Sequence, residues 1–176
     1  MPLDRSLAMN RIAAVSYTHL RFVAVHPDVY VPLGTTLTAS TRARAAWLWS
    51  RRRGTVAGRS ASALHCAKWI DDSGPAELLY ENRYPPTGIH TWSDRIIEDE
   101  VQLIGEVTAT TPARTAFDLA CRNPTAKAVA MIDALARTTR LNVEDVQFLA
   151  ERYKGCLLYT SLELRIVRCP AGIARG

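Results

Sequence analysis

Apolar and polar positions alternate through RFVAVH and again through DVYVPL, on either side of His26, Pro27 and Asp28. This predicts a short β-hairpin over residues 21–34. From residue 38 the period changes. Ala39, Ala43, Ala46, Trp47 and Ser50 fall on one face of a helix predicted over 38–53, with Thr38 placed to cap it and Gly54 to end it. Residues 55–58 read as a short strand, and Ser60 opens a second, alanine-rich helix through 68. Strand-like runs follow at 76–80, 88–92 and 95–110, separated by the turn signals Pro85-Pro86-Thr87-Gly88 and Trp92-Ser93-Asp94.

A strand hands over to a helix within VTATTPARTAFDLACR, residues 107–122. Thr111 stands at the N-cap, and Pro112 occupies the first helical position, where its missing N–H is not needed and its fixed φ suits the helix. Ala113, Ala116, Phe117, Ala120 and Cys121 recur as one buried stripe. Arg114, Asp118 and Arg122 recur every four residues as a second stripe. That spacing predicts an ion-pair ladder on the helix surface, worth a few tenths of a kcal/mol per pair, with a ligand-binding role as the alternative. Asn123 and Pro124 repeat the cap-then-proline device before an apolar stripe of Ala128, Met131, Ile132 and Leu135. Asn142 caps a last helix that buries Val146, Leu149, Ala150 and Tyr153, with Arg152 and Lys154 at its C-terminal end and Gly155 as its stop. The expected class is α/β (α+β): a small mixed sheet packed by C-terminal helices, with the hairpin in front of it.

Composition narrows the reading without naming a chemistry. The chain has 176 residues, 48% hydrophobic and 22% charged, which suits one globular domain. Neither end offers a secretory signal and no apolar run is long enough to span a bilayer, so a cytoplasmic protein without membrane partners is expected. Cys66, Cys121, Cys156 and Cys169 lack metal-ligand spacing and read as reduced thiols. No phosphate-binding glycine loop, nucleophile–base arrangement or metal cluster is present, so no catalytic residue, cofactor or metal is assigned. His65 stands alone on its helix and reads as a packed or hydrogen-bonded histidine. Glu98, Asp99 and Glu100 read as a solvated edge or turn.

Charge is distributed unevenly. Residues 21–59 carry seven arginines against Asp28 alone, whereas residues 71–106 carry nine acids against Arg83 and Arg95. A basic end facing a polyanion fits this asymmetry, as do two patches that meet inside one domain. Arg42, Arg44, Arg51, Arg52, Arg53 and Arg59 are the candidate nucleic-acid contacts. Arg42, Arg44 and the three consecutive arginines fall outside the apolar stripe of their helix, interleaved with Trp49. Accessible cations would meet phosphate and an exposed aromatic would stack on a base. A solvated basic face with Trp47 and Trp49 partly buried fits the same pattern.

Two hexapeptides point to another origin. VSYTHL at 15–20 and CLLYTS at 156–161 are translations, in two frames, of the single string CTGTCTCTTATACACATCT, the transposon end used in sequencing-library preparation. Native protein is therefore expected over about 21–155, with 1–20 and 156–176 foreign. Resequencing the locus from unamplified DNA tests this, and finding both hexapeptides encoded there would refute it.

Over 21–155, about three quarters of the chain, the sequence resembles the AbiEi family of antitoxins from type IV toxin-antitoxin systems, in particular an actinobacterial group. The blocks that carry the resemblance are FVAVHPDVYVP, VAGRSASALHCAKW, VTATTPARTAFDLACR and VEDVQFLAERYKG. It implies a winged helix-turn-helix, of which 21–34 is the remnant wing and 38–68 a basic helical part, followed by a mixed α/β unit over 75–155. It also implies a non-enzymatic transcriptional regulator that binds operator DNA and opposes a nucleotidyltransferase-like toxin encoded nearby, without a stable complex. Asp28 and Cys66 stand where such relatives carry Gly, and the DNA-reading helices would precede Arg21. Longer relatives end in a domain resembling very-short-patch repair endonucleases, whose core needs an Asp and a Glu-x-Lys. No Glu-x-Lys occurs here. The alternative implied by those relatives is the N-terminal regulatory part of an endonuclease-like protein lacking its catalytic domain.

Overall fold

The computed structural model describes residues 21–153. The two hexapeptides, Lys154 and Gly155 of the predicted helix end, and Cys156 and Cys169 lie outside the described residues.

The hairpin pairs β1 (Phe22–His26) with β2 (Val29–Pro32) in a two-stranded antiparallel sheet. Its Pro27-Asp28 loop holds Asp28 at φ 62°, the left-handed position that Gly takes most easily and Asp tolerates. The second sheet has five strands in the order β5-β4-β3-β7-β6, numbered in chain order as β3 (Thr55–Val56), β4 (Ala76–Leu79), β5 (Ile89–Trp92), β6 (Val101–Ile104) and β7 (Val107–Thr110). It is mixed: β3–β7 and β4–β5 are parallel, β3–β4 and β6–β7 antiparallel. With five helices against these sheets the class is α/β (α+β).

Helix α1 (Ala39–Trp49) is capped by Thr38, whose hydroxyl accepts from the Thr41 N–H at 3.2 Å. It ends at Trp49, four residues short of the predicted helix end at Arg53. The Arg52 N–H reaches the Trp47 carbonyl (3.1 Å) and the Arg51 N–H the Leu48 carbonyl (2.8 Å), which is a Schellman motif with Arg51 where Gly is usual. Arg51 and Arg52 lie at φ 56° and 63°. Helix α2 runs Gly58–Leu64 rather than 60–68 and closes in the same way, its left-handed residue being Cys66 at φ 63°. Both positions where the family resemblance places Gly are thus left-handed in this chain.

The run at 95–110 is not one strand. A 3-10 turn at Glu98–Glu100 precedes β6, and Gly105, at φ 61°, reverses the chain into β7. Thr111 and Pro112 start α3 (Pro112–Arg122) as predicted, Thr111 Oγ1 accepting from the Arg114 N–H. Asn123 does not cap α4 (Thr125–Ala136); its side chain donates to the Leu119 carbonyl at 3.0 Å and closes α3 instead. Asn142 does cap α5 (Val143–Arg152), accepting from the Glu144 N–H at 3.2 Å.

Two apolar clusters result. One lies between α1, α2 and the five-stranded sheet, built around Trp47, Val56, Leu64, Leu78 and Ala109. The other joins α3, α4 and α5 through Phe117, Leu119, Leu135, Val146, Leu149 and Tyr153. No helix among the described residues is long and apolar enough to cross a membrane.

Candidate nucleic-acid interface

The arginines grouped by sequence separate in space. Arg44, Arg51, Arg52 and Arg53 are exposed along and beyond α1. None of these four pairs with a carboxylate among the described residues. The Schellman turn decides the presentation: it halts the helix at Trp49 and turns three consecutive guanidinium side chains out from its carbonyl end. Those carbonyls carry the negative end of the helix dipole, which favours cations there. Arg52 also lies over the Trp47 ring, 5.5 Å from its centroid.

The aromatic side chains beside them are engaged elsewhere. Trp47 is buried in the core, and Trp49 packs edge-on against Tyr80 with ring centroids 5.9 Å apart. Trp47 is thus committed to the core and Trp49 is half-buried beside Tyr80, which leaves charge as the feature that the exposed arginines share.

Arg42 and Arg59 belong to a different place. They line one narrow cleft with Ala39, Asp71 and Pro75. Arg42 is half-buried, and its charge, after burial itself, helps hold the neighbouring His26 imidazole below its ordinary pKa. Arg59 is committed to Glu77, its Nε donating at 2.7 Å and its Nη2 lying 2.6 Å from the carboxylate. Glu77 also accepts from the Arg59 backbone N–H at 2.6 Å. Because Ala57 at the N-cap has no side-chain acceptor, this carboxylate from β4 caps α2. The local sign of this partly buried pair is a lone Glu inside the otherwise apolar β4.

The Arg114, Asp118 and Arg122 stripe is not the surface ladder its spacing predicts. Arg114 and Asp118 are each 1% exposed. Arg114 Nε donates to Asp118 Oδ1 at 3.0 Å, and its Nη1 donates to Glu100 and to the Arg95 carbonyl (3.1 Å). Glu100, in the turn read as solvated, is 2% exposed. It accepts from the Tyr153 hydroxyl at 2.8 Å and from Arg152 Nη1 at 2.8 Å. Asp99 stays at the surface, where Arg152 reaches it. Arg122, the outer member, pairs with Asp94 rather than Asp118 and stacks over Trp92 at 4.1 Å.

Burial inverts the electrostatics of this cluster. It raises the Asp118 carboxyl to about 6 even though Arg114 opposes the shift. Burial also disfavours the Arg114 cation, but Asp118 and Glu100 together hold its pKa above the ordinary value. Tyr153 is raised, first by burial and then by its hydrogen bond to Glu100. Asp118 Oδ2 is buried without a hydrogen-bond partner among the described residues. The arrangement ties the turn before β6 to α3 and α5, and it offers no nucleophile–base pair.

His65 is hydrogen-bonded, its Nε2 lying 2.9 Å from the Thr110 carbonyl, which fits its reading as a structural histidine. Among the described residues no group of three or more His, Cys, Asp or Glu is placed to hold a metal ion. Comparison of the chain with models of known protein families, with curated proteins and with solved structures finds no match.

Proposed function

We propose that the chain is an AbiEi-like antitoxin and transcriptional regulator, without enzymatic activity, that holds DNA through backbone phosphates. The observation that carries the DNA contact is the set of four exposed arginines, Arg44, Arg51, Arg52 and Arg53, without carboxylate partners among the described residues. Arginines on an exposed helix end bind phosphate by charge and carry no base code, so the expected contribution is affinity rather than sequence choice. The β1–β2 hairpin packs against α1 and supports the wing-like reading. Operator DNA is the proposed partner, and a nucleotidyltransferase-like toxin, opposed without a stable complex, the proposed target.

Duplex binding measured across a salt series tests the contact. Wild type should weaken steeply between 50 and 200 mM salt. Changing Arg51, Arg52 and Arg53 to Ala should reduce the log–log salt slope by about 2 to 3, equivalent to about 40-fold less salt sensitivity over that range. Absence of salt-sensitive duplex binding by the wild type at low ionic strength would refute the DNA contact.

A further inference from the structure

The loop that follows α2 and the exposed side of α4 enclose a cleft of about 280 Å³ that the reading above does not use. Lys68, Trp69 and Asp71 line one side, Lys127, Ala130 and Met131 the other. Trp69 is 92% exposed and lies at φ 66°. A bulky residue in the left-handed region is strained, and an indole left in water returns no packing energy for that strain. The side chain costs the fold something and gives it nothing. Its cleft is apolar on the Ala130–Met131 side and cationic at Lys68 and Lys127, neither of which forms an ion pair with a carboxylate among the described residues.

Asp71 is the one acid lining the cleft. Its Oδ1 is occupied by the Ser73 N–H (2.8 Å) and hydroxyl (2.7 Å). These bonds keep the carboxylate ionised to low pH, with smaller help from the charges of Arg59 and Lys127. Arg59 is already neutralised by Glu77. Two lysines beside one occupied carboxylate leave the rim net positive around a flat aromatic platform.

We infer that this cleft binds single-stranded nucleic acid, an unstacked base lying on Trp69 with the adjoining phosphates at Lys68 and Lys127. Free aromatic faces bordered by lysines take bases of any identity, because every base has a π-face, whereas a duplex keeps its bases stacked out of reach. The volume suits one flat ring rather than an extended ligand, being near the lower end of small-molecule sites. None of Arg44, Arg51, Arg52 and Arg53 lines this cleft, so it holds or fails independently of the operator-binding reading.

Fluorescence anisotropy of a labelled oligothymidylate and of a labelled duplex, using the full chain at low salt, tests it. Trp69→Ala should weaken strand binding about tenfold and leave duplex binding unchanged, whereas Trp69→Phe should retain most of the strand affinity. Lys68→Ala with Lys127→Ala should weaken strand binding and flatten its salt dependence. The Arg51, Arg52 and Arg53 triple variant should keep the tenfold effect of Trp69→Ala even where duplex binding is lost, so the two sites fail separately. Thermal unfolding of Trp69→Ala at the wild-type midpoint or above confirms that the fold is intact. Competition by thymidine monophosphate that depends on Trp69 supports a nucleotide as the ligand; strand binding that depends on Trp69 without such competition supports the polymer. Equal strand affinity of wild type and Trp69→Ala overturns the inference. So does the absence of strand binding by the wild type, or Trp69-dependent binding to phosphatidylglycerol vesicles without binding to the strand.

Discussion

Replacing Arg114 by Ala is expected to lower the unfolding free energy by about 4 kcal/mol at pH 7, the cost of removing one member of a buried charged cluster. Arg114 neutralises two carboxylates, Glu100 and Asp118, which are 2% and 1% exposed. Their remaining partners differ. Glu100 retains Tyr153 and Arg152, while Asp118 loses its hydrogen-bond donor and keeps only the more distant attraction of Arg122. For a domain whose total stability is about 5–15 kcal/mol, such a loss moves the midpoint of urea unfolding far toward water.

The same substitution should show a definite pH dependence. In the fold Asp118 titrates near 6, against about 3.9 in an unfolded chain. The folded state therefore binds more protons between those values, and the Asp118 contribution to stability is complete below about 4 and is lost as pH rises through 6. Without the Arg114 guanidinium, which lowers it, the Asp118 pKa rises further. The variant should accordingly be least handicapped in mild acid, its deficit at pH 5 smaller than at pH 8. Urea titrations of both proteins at these pH values decide the matter, and a variant as stable as wild type at pH 8 would show that the buried cluster contributes no net stability.

The second large effect is expected at Gly58. It opens α2 at φ 52°, and a Cβ added there would collide with Glu77 Oε2 while lying 3.4 Å from Trp92 Cη2. A carboxylate tip can often move aside, but this one is held by the Arg59 N–H at 2.6 Å, by Arg59 Nε at 2.7 Å and by Arg59 Nη2. Moving it would uncap α2 and break a partly buried ion pair. Together with the left-handed backbone penalty, Gly58→Ala should cost about 3 kcal/mol. Adding Glu77→Ala should recover part of that loss by removing the obstacle, so a double-mutant cycle with a clearly favourable coupling is expected. Independent, additive losses would place the cost in the backbone alone.

Local chemistry was legible without the fold. Thr38, Thr111 and Asn142 cap the helices they were expected to cap, and the Pro27-Asp28 turn makes its hairpin. These features depend on a few neighbouring residues whose backbone preferences and short side-chain reach are intrinsic. The stripes Ala116-Phe117-Ala120 and Val146-Leu149-Tyr153 are buried as their helical period implies, because one face of an amphipathic helix has to leave water.

What the tertiary structure alone decided is which polar side chains leave water as well. Arg114, Asp118, Glu100 and Glu77 look like surface residues in the linear chain, and four-residue spacing places Arg114 beside Asp118 whether that helix face meets solvent or protein. The choice is made by segments distant in sequence: Glu100 from the turn before β6 and Tyr153 from the end of α5 close over α3, and β4 carries Glu77 to the start of α2. The arginines follow the same rule. Composition determined that residues 21–59 are basic, but the Schellman stop after Trp49 and the Glu77 pair divided them into exposed cations at 51–53 and a committed one at Arg59. Charge is a property of the residue, whereas availability to a partner depends on desolvation and on the counter-charges that folding brings near.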